Sequence, residues 1–255
     1  MKQCSASTRP LFVLLFSLML LAACAEKLVD PHTSNNTQQP EPEPLPADAS
    51  LYLFWVFDGR VPNNVELERI DATFDPGETG AHIFFKSGLP NYPNTGRLGS
   101  MERRNSPTDI NYLPEGNNNL AFEEADVRGV QIRQPFRGAN GEHELYFHIP
   151  MTGASAPVLS FAMMDEGAAD GIQIDYSVTS GFQLWTQNGM EQSQTVRNLI
   201  TGTYSRIVAD FSGVEAAANN PDFIVRVRFL YDDGFASSGD RVTFNNVAVF
   251  AVVGE

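Results

Sequence analysis

Phe223, Val225, Val227 and Phe229 fall on one side of the run 223–229, and Arg226 and Arg228 fall on the other. A period of two becomes one apolar and one polar face only in an extended strand. Runs 130–133, 145–149 and 171–176 repeat the pattern, and 52–57, 82–85, 157–163, 204–211 and 241–252 read as further strands separated by glycine, proline and asparagine. The one candidate helical turn is 212–219, with Ser212 as cap and Asn220 and Pro221 closing it. No sustained 3.6-residue period exists. Nine or more strands across 51–255 predict an all-β domain, an antiparallel β-sandwich or jelly roll, with Trp55 in its core.

The N-terminus obeys a different rule. Lys2 and Arg9 precede an apolar run, 11–23, broken only by Ser17 and closed by Leu21, Ala22, Ala23 and Cys24. As a helix that run rises about 20 Å, against the roughly 30 Å of a bilayer core, so a cleaved signal peptide fits better than a membrane span. Its end resembles the lipobox of bacterial lipoproteins. The resemblance implies removal of residues 1–23 as a signal peptide, acylation of Cys24 and a membrane partner reached through that lipid. With Ala25 rather than aspartate after the cysteine, it implies the outer membrane of a two-membrane cell envelope. Cys4 would leave with the signal and Cys24 would carry lipid, so no thiol would remain for a disulfide, a thiolate metal site or a nucleophile.

Residues 24–50 are rich in Pro, Asn, Gln and Glu and poor in apolar side chains, which predicts a disordered tether. His32 would be a solvated tether residue. The chain carries 17 cations and 31 carboxylates, and losing Lys2 and Arg9 takes its net charge from −14 to −16. Such a surface repels phosphate backbones and anionic head groups, which argues against nucleic acid and against a basic membrane patch.

The segment 86–128 shows no sustained alternation. It is either a functional loop region or a set of short strands without a clear pattern. Tyr92, Tyr112, Arg103 and Arg104 within it are candidate contacts for a glycan or an envelope protein. Asp210 to Val214, Asn219 to Phe223 with the strand after them, and Val242 to Val249 resemble the closing strands of bacterial jelly rolls similar to carbohydrate-binding modules, as do Leu159 to Ala162 and Ile174 to Ser177. This resemblance spans roughly 129–255, and it implies a binding domain.

Candidate sites follow from residue chemistry. Asp165 and Asp170, and Asp232, Asp233 and Asp240, lie beside glycines in acidic loops of the kind that supply oxygens to a structural calcium. Ordinary Asp-Gly turn chemistry accounts for them equally. The jelly-roll resemblance implies a second calcium position near Asp58 and Asn245–Asn246, where asparagine stands in place of a common aspartate. Gln131, Arg133, Tyr146 and His148 alternate with inward apolar residues and form a candidate ligand-binding face, extended by Gln173, Asp175, Arg226 and Arg228 if their strands are adjacent. Sugar sites need such a mixture of flat aromatics and hydrogen-bonding groups. Any solvated sheet face needs polar residues too. Trp185, between Gly181 and Asn188–Gly189, is a candidate aromatic platform near a loop.

The same four residues resemble the proton-transfer set of jelly-roll polysaccharide lyases, with Arg133 where histidine is expected. No paired-carboxylate strand of a retaining glucanase is present, and His82 and His143 lack zinc-ligand spacing. The expected function is non-catalytic polysaccharide recognition by an envelope lipoprotein. The alternative is an assembly lipoprotein that docks on an envelope protein through 86–128, and a lyase comes third.

Overall fold

The alternating runs form two antiparallel sheets stacked as a β-sandwich. The computed structural model describes residues 45–254 except 97, 134–136, 139, 140, 192–194, 198, 200 and 231–238. The predicted signal peptide, Cys24 and the predicted tether as far as residue 44 lie outside the described residues. The strands are β1 (Ser50–Trp55), β2 (Arg69–Asp71), β3 (His82–Lys86), β4 (Met101–Asn105), β5 (Gly129–Arg133), β6 (Arg137–Gly138), β7 (Gly141–Glu142), β8 (Glu144–His148), β9 (Ala154–Glu166), β10 (Gly171–Ser177), β11 (Thr195–Arg197), β12 (Ser205–Asp210), β13 (Ile224–Leu230) and β14 (Arg241–Val253).

The first sheet runs β12-β9-β14-β5-β4, with β1 also paired to β14, and the second runs β11-β10-β13-β8-β3-β2. From β8 onward the chain alternates between them in jelly-roll fashion: β8, β10 and β13 join the second sheet, β9, β12 and β14 the first. The long β14 holds β9 along one edge, while β5 and β1 share the other.

Trp55, Phe161 and Phe244 of the first sheet and Phe147, Val225 and Val227 of the second are fully buried in the main core. Phe147 and Phe161 stack across it with centroids 5.7 Å apart. Each such side chain contributes roughly 1.5–3 kcal/mol on leaving water. The predicted helical turn is a short 3-10 turn, Glu215–Ala217, entered from Val214 with no side-chain cap. Ser212 is therefore not its cap.

The irregular segment is a lid on the first sheet. Tyr112, Leu113, Phe122 and Val127 pack on Leu51, Phe54, Val56 and Ala248 in a second apolar cluster. Asn246, at φ +46°, donates through Nδ2 to the carbonyls of Thr108 (2.6 Å) and Ile110 (2.9 Å), tying the lid to β14. Gly116 sits so close to Phe54 that a Cβ there would lie 2.5 Å from the ring. A strand buried on both faces results, which is why β1 reads as continuously apolar.

Candidate ligand-binding face

Among the described residues no second apolar cluster of that kind covers the other sheet, and strand register arranges its outward side chains in three rows. Asp71, His82, His148, Ile224 and Ser177 form the first row, and Arg69, Phe84, Tyr146, Arg226 and Asp175 the second. Lys86, Glu144, Arg228 and Gln173 form the third. Inward-facing Ile83, Phe147, Val225, Val227 and Ile174 alternate with them and fix the register, because a one-residue slip would put these in water.

The middle row is aromatic at one end. Phe84 and Tyr146 stack with centroids 4.4 Å apart and planes 3° from parallel. Trp185 adds a third ring, 5.5 Å from Tyr146 and 4.1 Å above the Arg226 guanidinium. It arrives on a segment latched to the edge of β10 by paired backbone bonds between Tyr176 and Thr186, both 3.0 Å. Gln187 Nε2 donates to the Ile174 carbonyl (2.7 Å) and reinforces the latch. On the same segment Phe182 and Leu184 stand exposed.

The other end of the rows is a charge network. Arg226 donates to both oxygens of Asp175 (2.8 and 2.7 Å) and to Glu144 Oε1 (2.9 Å). Glu144 Oε2 accepts from Lys86 Nζ (2.7 Å) and the Tyr146 hydroxyl (2.6 Å). Burial pushes the Glu144 carboxyl up, but hydrogen bonds from Lys86 and Tyr146 and the charges of Lys86 and Arg226 outweigh it, holding the carboxyl below the usual range. Burial also disfavours the Arg226 cation, yet its bonds to Asp175 leave it held more tightly than usual. Burial and then the bond to Glu144 raise the Tyr146 phenol. Glu144 and the phenol are thus bound to each other, and Asp175 is bound to Arg226.

His82 and His148 face each other across β3 and β8, rings 4.8 Å apart. Burial, and for His148 next the neighbouring His82, lowers both affinities for a proton. His148 also borders a cleft of about 740 Å³ at the sandwich end, shared with Tyr52, Pro76, Thr79, Pro150 and Pro221.

Of the candidates named from sequence, Tyr146, His148 and Trp185 come together here, joined by Gln173, Asp175, Arg226 and Arg228. Gln131 and Arg133 do not: β5 belongs to the first sheet, and Gln131 is buried there. The lyase set is consequently not assembled. Phe84, Lys86 and Glu144 were not singled out, because Phe84 and its neighbours read as a plain apolar run. Arg103 and Tyr92 are engaged internally, Arg103 Nε donating to the Phe57 carbonyl (2.7 Å) and the Tyr92 hydroxyl to that of Leu67.

The calcium candidates also separate. The buried Asp165 carboxylate accepts from the backbone N–H groups of Gly167 (3.0 Å), Ala168 (2.8 Å) and Ala169 (3.0 Å) and from Thr201 Oγ1 (3.2 Å), so it closes its own turn. Asp170 joins β10 to its surroundings through its backbone, and Asp240 lies beside Gly167. Asp232 and Asp233 lie outside the described residues. Asp58 pairs with Arg60 at 2.5 Å, and Asn246 holds the lid. Among the described residues no three His, Asp or Glu side chains converge as cation ligands.

Solved structures similar to the chain include a xylan-binding module, CBM15, at 13% identity over 49% of this chain and 79% of that one, TM-score 0.35. The K2 cleaved adhesin domain of Lys-gingipain aligns at 8% identity over 77% of this chain and 98% of its own, TM-score 0.36. A putative sugar binding protein from Bacteroides thetaiotaomicron aligns at 9% over 51% and 78%, TM-score 0.29. No family model matches the chain, and no curated protein does. Superpositions this loose identify no ligand, and function has to be read from the side chains of the sheet face.

Proposed function

We propose that this protein is an envelope lipoprotein, anchored through Cys24, whose sandwich binds a polysaccharide along the outer face of the second sheet without cleaving it. The single observation that supports this reading is the Phe84, Tyr146 and Trp185 cluster set among hydrogen-bonding side chains on an unlidded sheet. Aromatic rings offer apolar faces to sugar rings, and the flanking rows offer groups for hydroxyls. Five strands at about 4.8 Å spacing give a surface of roughly 19 Å, suited to a chain rather than a single sugar. Catalysis is disfavoured because Glu144 and Tyr146 are hydrogen-bonded to each other and Asp175 is held by Arg226.

A glycan array probed with the full chain tests the reading. Binding should be lost in Trp185→Ala and Phe84→Ala variants that keep the circular dichroism of the parent. A blank array would remove the proposal. A second reading, docking on an envelope protein, draws support from exposed Phe182 and Leu184 beside the face. It predicts that Phe182→Ser abolishes co-purification of a partner while leaving glycan binding intact.

A further inference from the structure

The three rows do not balance donors against acceptors. Both oxygens of Asp175 and both of Glu144 already accept hydrogen bonds from within the network, and Asp71 is taken up by Arg69 at the rim. All three nitrogens of Arg226 donate within it. What remains is donor capacity. Arg228 makes one long bond, Nη2 to Asp175 Oδ2 at 3.3 Å, out of the five N–H donors a guanidinium carries. Its Nε has no partner among the described residues. Lys86 gives one bond to Glu144 and is 56% exposed. Gln173 stands beside Arg228 in the third row and is half-buried.

Charge points the same way. Among the described residues of the three rows, Arg69, Lys86, Arg226 and Arg228 outnumber Asp71, Glu144 and Asp175, although the chain as a whole carries 17 cations against 31 carboxylates. A locally cationic face on an acidic protein draws an anion to that face and away from the rest of the surface. A neutral sugar brings hydroxyls that both donate and accept, and among the described carboxylates of the rows Asp71, at the exposed rim, is the one open to its donors. A carboxylate or sulfate brings acceptors alone, and pairs with Arg228 by charge-assisted bonds.

We infer that the face selects acidic glycans, sugar chains bearing carboxylate or sulfate groups, with Arg228 and Lys86 as the selecting residues; this rests on the glycan-binding reading above. The aromatic cluster holds the sugar rings and the third row holds their charge.

Calorimetric titration of the full chain separates the two claims. The probes are an oligogalacturonate and a sulfated galactan oligosaccharide, each paired with its carboxyl-reduced or desulfated counterpart. At least one charged probe should bind tenfold or more tightly than its neutral partner, and the preference should shrink as salt rises. Arg228→Gln combined with Lys86→Gln should erase the preference while the fold, followed by circular dichroism, is kept. Equal affinity for charged and neutral partners, or a preference that survives the double variant, would overturn the charge inference and leave glycan binding standing. Binding to none of the four probes, together with a blank glycan array, would overturn both.

Discussion

The guanidinium of Arg226 lies 4.1 Å from the centroid of the Trp185 ring while its nitrogens hold Asp175 and Glu144. One half-buried cation therefore supports both the aromatic platform and the charge network. Removing it strands two carboxylates of low exposure, a loss of about 3–5 kcal/mol. Arg226→Met should show this in urea unfolding. Trp185→Ala should cost far less, about 0.5–2 kcal/mol, since it removes only a ring over a cation that keeps its carboxylates. Equal costs for the two variants would mean that Arg226 is not the support.

Asn246 and Gly116 hold the lid from opposite sides. Asn246→Ala removes two donors to part-buried carbonyls and should lower stability by about 1–3 kcal/mol. Gly116→Ala places a methyl 2.5 Å from Phe54 and should cost a similar 1–3 kcal/mol through overpacking. Hydrogen exchange in 106–127 should rise in both variants with the second sheet still protected. Uniform loss of protection would show that lid and sandwich unfold as one.

Much of this architecture was legible because one buried face forces alternation, as in β13, where Arg226 and Arg228 interrupt Phe223, Val225, Val227 and Phe229. Adjacency of β10, β13 and β8 was not legible, since pairing depends on long-range register rather than local pattern. Gln131 and Arg133 mislead for the same reason: their alternation is real, but β5 pairs with β14 and β4 in the first sheet, away from Tyr146 and His148. The lid escapes periodicity because Tyr112, Leu113 and Phe122 pack from irregular backbone. His82 looks isolated in sequence, and only the pairing of β3 with β8 makes it a neighbour of His148.

Asp165 closes the turn after β9 with four accepted hydrogen bonds. Asp165→Ala leaves three backbone donors without their acceptor in a buried corner, at about 1–3 kcal/mol for the group. Thermal melts should show the loss, and added calcium should restore nothing. A calcium-dependent rise in the melting temperature of the parent, lost in this variant, would instead make Asp165 a cation ligand.

His143 should make the fold acid-sensitive. Its ring is fully buried and Nδ1 accepts the Gly88 N–H at 2.6 Å, so a second ring proton would have to displace that bond. Burial pushes its proton affinity down from 6.5 to about 4. The unfolded chain then binds the proton more readily than the folded one. Stability is complete above pH 6.5, falls as pH drops toward about 4 and levels off below that, a total of about 3 kcal/mol. His82 and His148, also lowered, add to the same slope. His143→Gln keeps an acceptor for Gly88 and removes the titration, so its urea midpoint should fall less than the parent's between neutral pH and pH 4. Parallel slopes for parent and variant would clear His143 of the effect and leave it to the cross-strand pair.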